Sequence, residues 1–343
     1  MSRPTMSDVA ERAGVSKATV SLVLSGREEA SAIKISQRTR EKVMAAAEEL
    51  GYSINVIARS MSAQRTHTLG LVTYDFVEYG PAVILAAAQD AARAHDYFLM
   101  VSSIERDVDA IYDHVRRLDG WRVDGIFIAV TAVGDWDRQL FQRLQLHVPV
   151  VCLEGAALAP NVNSVGVDNV RGGELAAEHL LALGHRRIGL IAGPRRWLAA
   201  QHREQGWRRA LLRGGVAPLE GAVVEGDWTT PGGYQAAARL LERGLGLTAI
   251  VAHNDHMALG AIRALRERGL RVPEDVSVVG YDDIPAAAYL DPPLTTVQQN
   301  LAEVGRLAIA LLIEAGEKPD LSRQIAVTPE LVVRGSTAAP GRV

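Results

Sequence analysis

Several features that mark catalysts, secreted proteins and membrane proteins are missing from this sequence. Its 343 residues include one cysteine, Cys152, so no disulfide can form within the chain. That cysteine lies in the apolar run Val148-Pro149-Val150-Val151-Cys152-Leu153 and reads as a buried structural thiol. No run of 18 apolar residues occurs, so no membrane span is expected. The N-terminus lacks a charged-then-apolar leader, which points to the cytoplasm. There is no Gly-x-Ser-x-Gly elbow, phosphate loop, Gly-x-Gly-x-x-Gly or Cys/His metal cluster. An enzyme, a cofactor and a metal are therefore not expected. The best metal pair, His253 and His256, has a spacing that shares a helix face, but capping and solvated histidines account for it more simply. The end of the chain, Gly335-Ser336-Thr337-Ala338-Ala339-Pro340-Gly341, carries no heptad pattern, so a coiled-coil tetramer is not expected.

What is present is organised around Thr5-Met6-Ser7-Asp8-Val9-Ala10-Glu11-Arg12-Ala13-Gly14-Val15-Ser16-Lys17-Ala18-Thr19-Val20-Ser21-Leu22-Val23-Leu24. Met6, Val9, Ala10 and Ala13 recur at helical spacing. Thr5 can accept from the Asp8 N–H as an N-cap, and Gly14 supplies the left-handed stop. Ser16 caps a second helix with Val20, Val23 and Leu24 on its apolar face. Helix, glycine turn, helix is the helix-turn-helix, whose second helix enters the DNA major groove; the alternative is an ordinary helical hairpin. A third helix runs from Ser36 to about Leu50 and stops at Gly51. Charge is uneven: the chain carries −3 overall, but residues 1–66 hold ten Lys/Arg against seven Asp/Glu. A basic head on an acidic body suits a polyanion partner for the head.

The length suggests two or three domains, and 48% hydrophobic content is enough for large cores. From residue 69 the pattern becomes α/β. Strands are expected at 69–74, 97–102, 123–130, 148–154, 187–192, 249–253 and 276–281. Helices fall around 81–94, 107–119, 136–145, 172–183, 202–213, 232–243, 256–268 and 300–315. Continuous apolar strands with helical crossovers imply parallel sheets covered on both faces. About twelve such elements exceed one sheet, so two similar lobes are expected.

Residues 5–65 resemble the head and hinge of the lac repressor family of transcription regulators. The matches are Asp8-Val9-Ala10, Ala13-Gly14-Val15-Ser16, Thr19-Val20-Ser21, Glu49-Leu50-Gly51-Tyr52 and Ile57-Ala58-Arg59-Ser60-Met61. The body adds Val123-Asp124-Gly125-Ile126, Val167-Asp168-Asn169, Leu183-Gly184-His185-Arg186-Arg187-Ile188-Gly189, Val279-Gly280-Tyr281-Asp282-Asp283 and Pro293-Leu294-Thr295-Thr296-Val297. The resemblance implies a helix-turn-helix head at 1–53, a hinge helix and linker at 54–66, and a two-lobed effector and dimerisation domain at 67–343. That domain would have the fold of periplasmic sugar-binding proteins, with lobe crossovers near 166–170, 292–296 and 324–328. It further implies a homodimeric repressor on a pseudo-palindromic operator, with a small effector between the lobes. Closure of that cleft by ligand is expected to shift the lobes near the hinge. A transport binding protein, which shares the body's fold, would not carry the head.

Carried over residue by residue, the family's DNA contacts fall on Lys17, Ala18 and Leu22. Lys17 donates to guanine or meets only phosphate; Ala18 and Leu22 offer apolar contact. Leu22 departs from the Arg or His often found there. Thr5, Ser16, Thr19, Ser21 and Asn55 read as phosphate or capping residues. Ala58, Arg59 and Met61 belong to the hinge helix, with Met61 where the family places a leucine that wedges into the minor groove. The family's pocket positions map to Tyr79, Glu154, Asp168, Trp197, Arg203, Trp228, Asn254, Asp255 and Asp282. Stacking tryptophans with several acids favour a neutral sugar, with a nucleoside or purine as the alternative.

Overall fold

The computed structural model describes residues 4–25, 35–52, 65–74, 79–104, 110–130, 148–154 and 162–341. They belong to two compact units, Met1–Thr66 and His67–Val343. The expected hinge positions Asn55, Ala58, Arg59 and Met61, and the expected helix at 136–145, lie outside the described residues.

In the first unit, α1 (Met6–Ala13), α2 (Lys17–Ser25) and α3 (Gln37–Glu49) surround a small core. Thr5 and Asp8 close a capping box: Asp8 N–H donates to Thr5 Oγ1 at 3.4 Å, and Thr5 N–H donates to the Asp8 carboxylate at 2.7 Å. Each group satisfies a donor that the first turn leaves without an intrahelical partner. Gly14 sits at φ 66°, and its N–H reaches back to the carbonyls of Ala10 and Glu11. That left-handed corner turns the chain into α2, where Ser16 Oγ accepts from Thr19 N–H at 3.1 Å. Val9, Val20 and Val43, one from each helix, are fully buried together.

The second unit holds two six-stranded sheets. The first is ordered β11-β5-β4-β3-β1-β2, with β1 (Thr68–Tyr74), β2 (Phe98–Ile104), β3 (Ile126–Ala129), β4 (Val150–Leu153), β5 (Asn163–Val167) and β11 (Gln324–Val327) all parallel. The second is ordered β12-β10-β9-β8-β6-β7, with β6 (Ile188–Ala192), β7 (Val223–Glu225), β8 (Ala249–Ala252), β9 (Ser277–Asp282) and β10 (Thr295–Gln298) parallel and β12 (Glu330–Val332) antiparallel at the edge. The first lobe carries α4 (Tyr79–Ala94), α5 (Ala110–Gly120) and α10 (Leu301–Glu317); the second carries α6 (Asn169–Ala182), α7 (Leu198–Arg213), α8 (Thr230–Glu242) and α9 (Asp255–Glu267). The expected strand at 123–130 shortens to β3; ahead of it the Asp124 carboxylate accepts the His67 N–H at 2.9 Å while its own N–H donates to the Thr68 carbonyl at 2.7 Å.

The chain passes between lobes three times: at Asp168 from β5 to α6, at 299–300 from β10 to α10, and at 328–329 from β11 to β12. The second passage corrects the expectation of 292–296. Thr295–Gln298 is paired with β9 and is still inside the second lobe. Only after its fourth residue can the chain leave.

Glycines let α6 and α7 approach closely. A Cβ on Gly206 would lie 2.0 Å from the Val170 carbonyl oxygen, and one on Gly173 would lie 2.1 Å from the Arg203 carbonyl oxygen. The obstacle is backbone in both cases, so only glycine permits this spacing. We expect Gly206→Ala to destabilise the second unit by ~1–3 kcal/mol through overpacking. Gly120→Ala, where a Cβ would meet nothing within 4 Å, should stay near wild type in the same thermal-unfolding measurement. Equal Tm values for the two variants would contradict the packing argument.

Candidate functional site

On the head, Ser16, Lys17, Ala18 and Ser21 are exposed, whereas Thr19 and Leu22 are half-buried. Lys17 and Ala18 thus stand at the free N-terminal end of α2, where a recognition helix presents its first turn to base edges. Thr5 and Ser16 are exposed too, but their hydroxyls already serve the caps described above.

In the body, the carboxyl ends of both sheets meet at a cleft of about 350 Å³. Open α/β sheets place ligands at such strand ends. Seven of the nine sequence candidates line it: Tyr79, Glu154, Trp197, Arg203, Trp228, Asn254 and Asp282. Trp197 and Trp228 meet edge-on, with centroids 6.2 Å apart at 81°, and Tyr74 leans on Trp197 at 5.1 Å. Gly193 makes room for the second indole, since a Cβ there would lie 2.1 Å from the Trp228 ring.

The centre of the polar wall is Arg203, 6% exposed. Its Nε donates to Asn169 Oδ1 at 2.7 Å, Nη2 to Gln299 Oε1 at 3.2 Å, and Nη1 to the His253 carbonyl. The guanidinium lies 3.8 Å from the Tyr281 ring centroid. Asn169 is the hub of this wall: its carbonyl also accepts from Tyr281 Oη at 3.1 Å, and its amide donates to Glu154 Oε1. Gln299 in turn donates to the Asp282 carboxylate. Asn169 and Gln299 carry no charge or ring that would single them out in the sequence, and their role is visible only in the fold.

Burial pushes the Glu154 carboxyl up to about 7, against the pull of Arg203 and the Asn169 hydrogen bond. Its Oε2 is buried and has no hydrogen-bond partner among the described residues, as do Trp197 Nε1 and Trp228 Nε1. Buried polar atoms are normally satisfied, so this acceptor and these donors suit a ligand that offers both. Glu154, Trp228 and Asp282 also have positive φ, at 57°, 72° and 120°. Non-glycine residues rarely adopt that conformation, and such strain gathers at binding sites.

Two candidates are corrected. Asp168 is exposed and accepts the Arg171 N–H at 2.9 Å as the N-cap of α6; it does not line the cleft. Asp255 is fully buried, accepting Thr296 Oγ1 at 2.6 Å and Ile284 N–H at 2.9 Å. It ties α9 to β10 and does not line the cleft; burial raises its carboxyl to about 7. Asn254 borders the cleft, yet its amide is occupied, accepting from Met257 N–H and donating to the Trp228 carbonyl, both at 2.8 Å. His253 Nδ1 accepts from Gly193 N–H at 3.1 Å, and burial drives its pKa well down. It is a neutral structural histidine, while His256 borders the cleft.

Comparison with known proteins accounts for both units. Residues 5–55 match the family of bacterial regulatory proteins of the lacI type, and residues 177–337 match a periplasmic binding protein-like domain. The lactose operon repressor of Escherichia coli (strain K12) is 36% identical over 98% of this chain and 91% of its own length. The chain belongs to the lacI family of bacterial regulatory proteins. The ribose operon repressor of the same strain is 34% identical over 97% of this chain and 99% of its own length. A PurR-type transcriptional repressor of Mannheimia succiniciproducens is 33% identical over 97% and 98%. Among solved structures, a lac repressor dimer bound to operator and the anti-inducer ONPF superposes with a TM-score of 0.89 at 35% identity, covering 98% of this chain and all of that one. A complex of the regulator CelR with cellobiose gives 0.71 at 34% identity over 97% of this chain and all of that one. This lacI-family chain is therefore a DNA-binding transcriptional repressor and not an enzyme.

The raised carboxyl of Glu154 makes stability depend on pH in a stated direction. A carboxyl held at about 7 in the fold, against an ordinary value of 4.5, stays protonated in the folded chain while the unfolded chain ionises. Its contribution is complete below the ordinary value and is lost as pH rises through 7. Comparing wild type with Glu154→Gln cancels the histidines and Asp255. Between pH 5 and 8 the wild type should lose up to ~3 kcal/mol relative to Glu154→Gln, at 1.36 kcal/mol per pKa unit. Denaturant unfolding followed by tryptophan fluorescence checks this; parallel curves would refute it.

Proposed function

We propose that this repressor acts as a cytoplasmic homodimer on a pseudo-palindromic operator and that a neutral sugar in the interlobe cleft controls its grip. The observation that carries the sugar reading is the pairing of the Trp197 and Trp228 rings with unsatisfied groups of both kinds. The rings offer apolar faces to the C–H side of a pyranose. Glu154 Oε2 can accept from a hydroxyl, and the indole N–H groups can donate to one. A hydroxyl both gives and receives, and so meets these needs in one group.

Charge argues the same way. Arg203 already has three acceptors, and the Asp282 carboxylate lines the same wall, so its positive charge is already taken up. The resemblance to a PurR-type repressor supports a purine as the second reading. A purine would have to stack on one indole while its ring edge faces the other.

Calorimetric titration of the purified chain with mono- and disaccharides, and separately with purine bases and nucleosides, tests the reading. One neutral sugar should bind, and Trp228→Ala should weaken it at least ~10-fold, consistent with loss of one well-placed aromatic contact. Binding of a purine alone would establish the second reading. On the head, Lys17→Ala should weaken operator binding; a loss of ~1–3 kcal/mol confined to one base position indicates base contact, and a uniform loss indicates phosphate contact.

A further inference from the structure

The Asp282 carboxylate lines the cleft, yet the backbone that carries it is in an uncommon conformation. Asp282 and Asp283 have consecutive positive φ values of 120° and 56°. Two such residues in a row persist only where the surroundings hold them. What holds them stands behind the cleft wall, since neither Asp283 nor Arg334 lines the cleft. Arg334 Nη2 donates to Asp283 Oδ1 at 2.6 Å, and Gln298 Nε2 donates to Asp283 Oδ2 at 3.0 Å. The ion pair is shielded, with 19% of the arginine side chain and 12% of the aspartate exposed. Charge-assisted hydrogen bonds are the strong ones. Arg334 Nη1 also donates to the Leu294 carbonyl, just ahead of β10, at 2.9 Å.

Arg334 is itself delivered by the segment that follows β12. Its N–H donates to Thr295 Oγ1 at 2.9 Å. Two residues on, Ser336 is fully buried. The Ser336 hydroxyl donates to the Val278 carbonyl at 2.6 Å and accepts from the Thr295 N–H at 2.8 Å. The Ala338 carbonyl then accepts from His185 Nε2 at 2.8 Å and from Ser277 Oγ at 3.1 Å. Residues 334–338 are thus a strap laced across the starts of β9 and β10, and the side chain of its first residue reaches the turn that leaves β9. Without that guanidinium, the shielded Asp283 carboxylate would be left with the neutral Gln298 amide, a costly state for a charge held away from water. The two strained residues would then be free to relax.

We propose that Arg334 is a positioning residue for effector recognition: held by the strap, it fixes Asp283 and thereby the place of the Asp282 carboxylate in the cleft. The link to an effector rests on the cleft reading above; the positioning of Asp282 does not.

The test uses the full chain with no sugar and no DNA, so its outcome does not depend on which effector binds. Carbodiimide-driven amidation of carboxyl groups, read by mass spectrometry, compares Asp282 with Asp291, whose side chain is fully exposed and serves as internal standard. Hydrogen exchange reports the same segment through the Ile284 N–H, which donates to Asp255 Oδ2 at 2.9 Å. Arg334→Ala should speed both Asp282 labelling and Ile284 exchange at least ~10-fold, which corresponds to ~1.4 kcal/mol of local stability. Arg334→Lys, which keeps the charge but not the fork of donors, should give a smaller rise in both. Ser336→Ala loosens the strap but leaves the ion pair; it should speed exchange at the Thr295 N–H and leave Asp282 and Ile284 at their wild-type rates. If Arg334→Ala fails to fold, as judged by circular dichroism, Arg334→Lys carries the test. Folded arginine variants with wild-type rates at Asp282 and Ile284 would overturn the proposal. So would a Ser336→Ala chain that speeds those two sites as much as Arg334→Ala does, because the arginine would then act only as part of a general prop.

Discussion

The cleft depends on keeping one guanidinium dry. Arg203 is buried where an isolated charge would be prohibitively costly, and it persists there because its donors meet Asn169, the His253 carbonyl and Gln299 while its face rests on Tyr281. The acceptors come from the start of α6, the end of β8 and the second interlobe passage. A planar fork of donors holds its partners in one relative orientation, which a lysine could not do. Arg203 therefore fixes the start of α6, the end of β8 and the residue after β10 relative to one another, and the cleft carboxyls of Glu154 and Asp282 are set through Asn169 and Gln299.

Such a centre needs close backbone approach and tolerates local strain. Glycines at 173 and 206 bring α7 against α6 so that Arg203 reaches Asn169. At the strand ends, Glu154, Trp228 and Asp282 adopt positive φ, a conformation that the surrounding packing must impose. The strained residues are cleft residues, and the unsatisfied polar atoms of Glu154, Trp197 and Trp228 lie in the same place.

Much of this was legible in the sequence because it rests on local rules. The Thr5 cap, the Gly14 corner and the buried faces of α1 to α3 follow from spacing and from glycine's freedom at φ 66°. The parallel sheets follow from apolar strands alternating with helices. What could not be read depends on three-dimensional company. Asp168 and Asp255 sit at positions where an acid suits a ligand, yet a helix cap and a buried tie between α9 and β10 take them. Asn169 and Gln299 look like ordinary polar residues until Arg203 is placed between them. The short strands at Val223–Glu225 and Glu330–Val332 offer too few residues for a period to show, and the second interlobe passage lies later than 292–296 because Thr295–Gln298 pairs with β9.

If occupancy of the cleft controls the head's hold on DNA, the two binding events are thermodynamically reciprocal. The most direct measurement is the fluorescence anisotropy of a labelled duplex from the gene's own upstream region, titrated with the full chain at fixed salt, alone and with each sugar or purine of a panel. Binding should be sequence-selective, and one compound should change it by ~5–150-fold, the range typical of such coupling. Equal affinity for that duplex and a scrambled one, or an affinity that a cleft-bound compound leaves untouched, would contradict it.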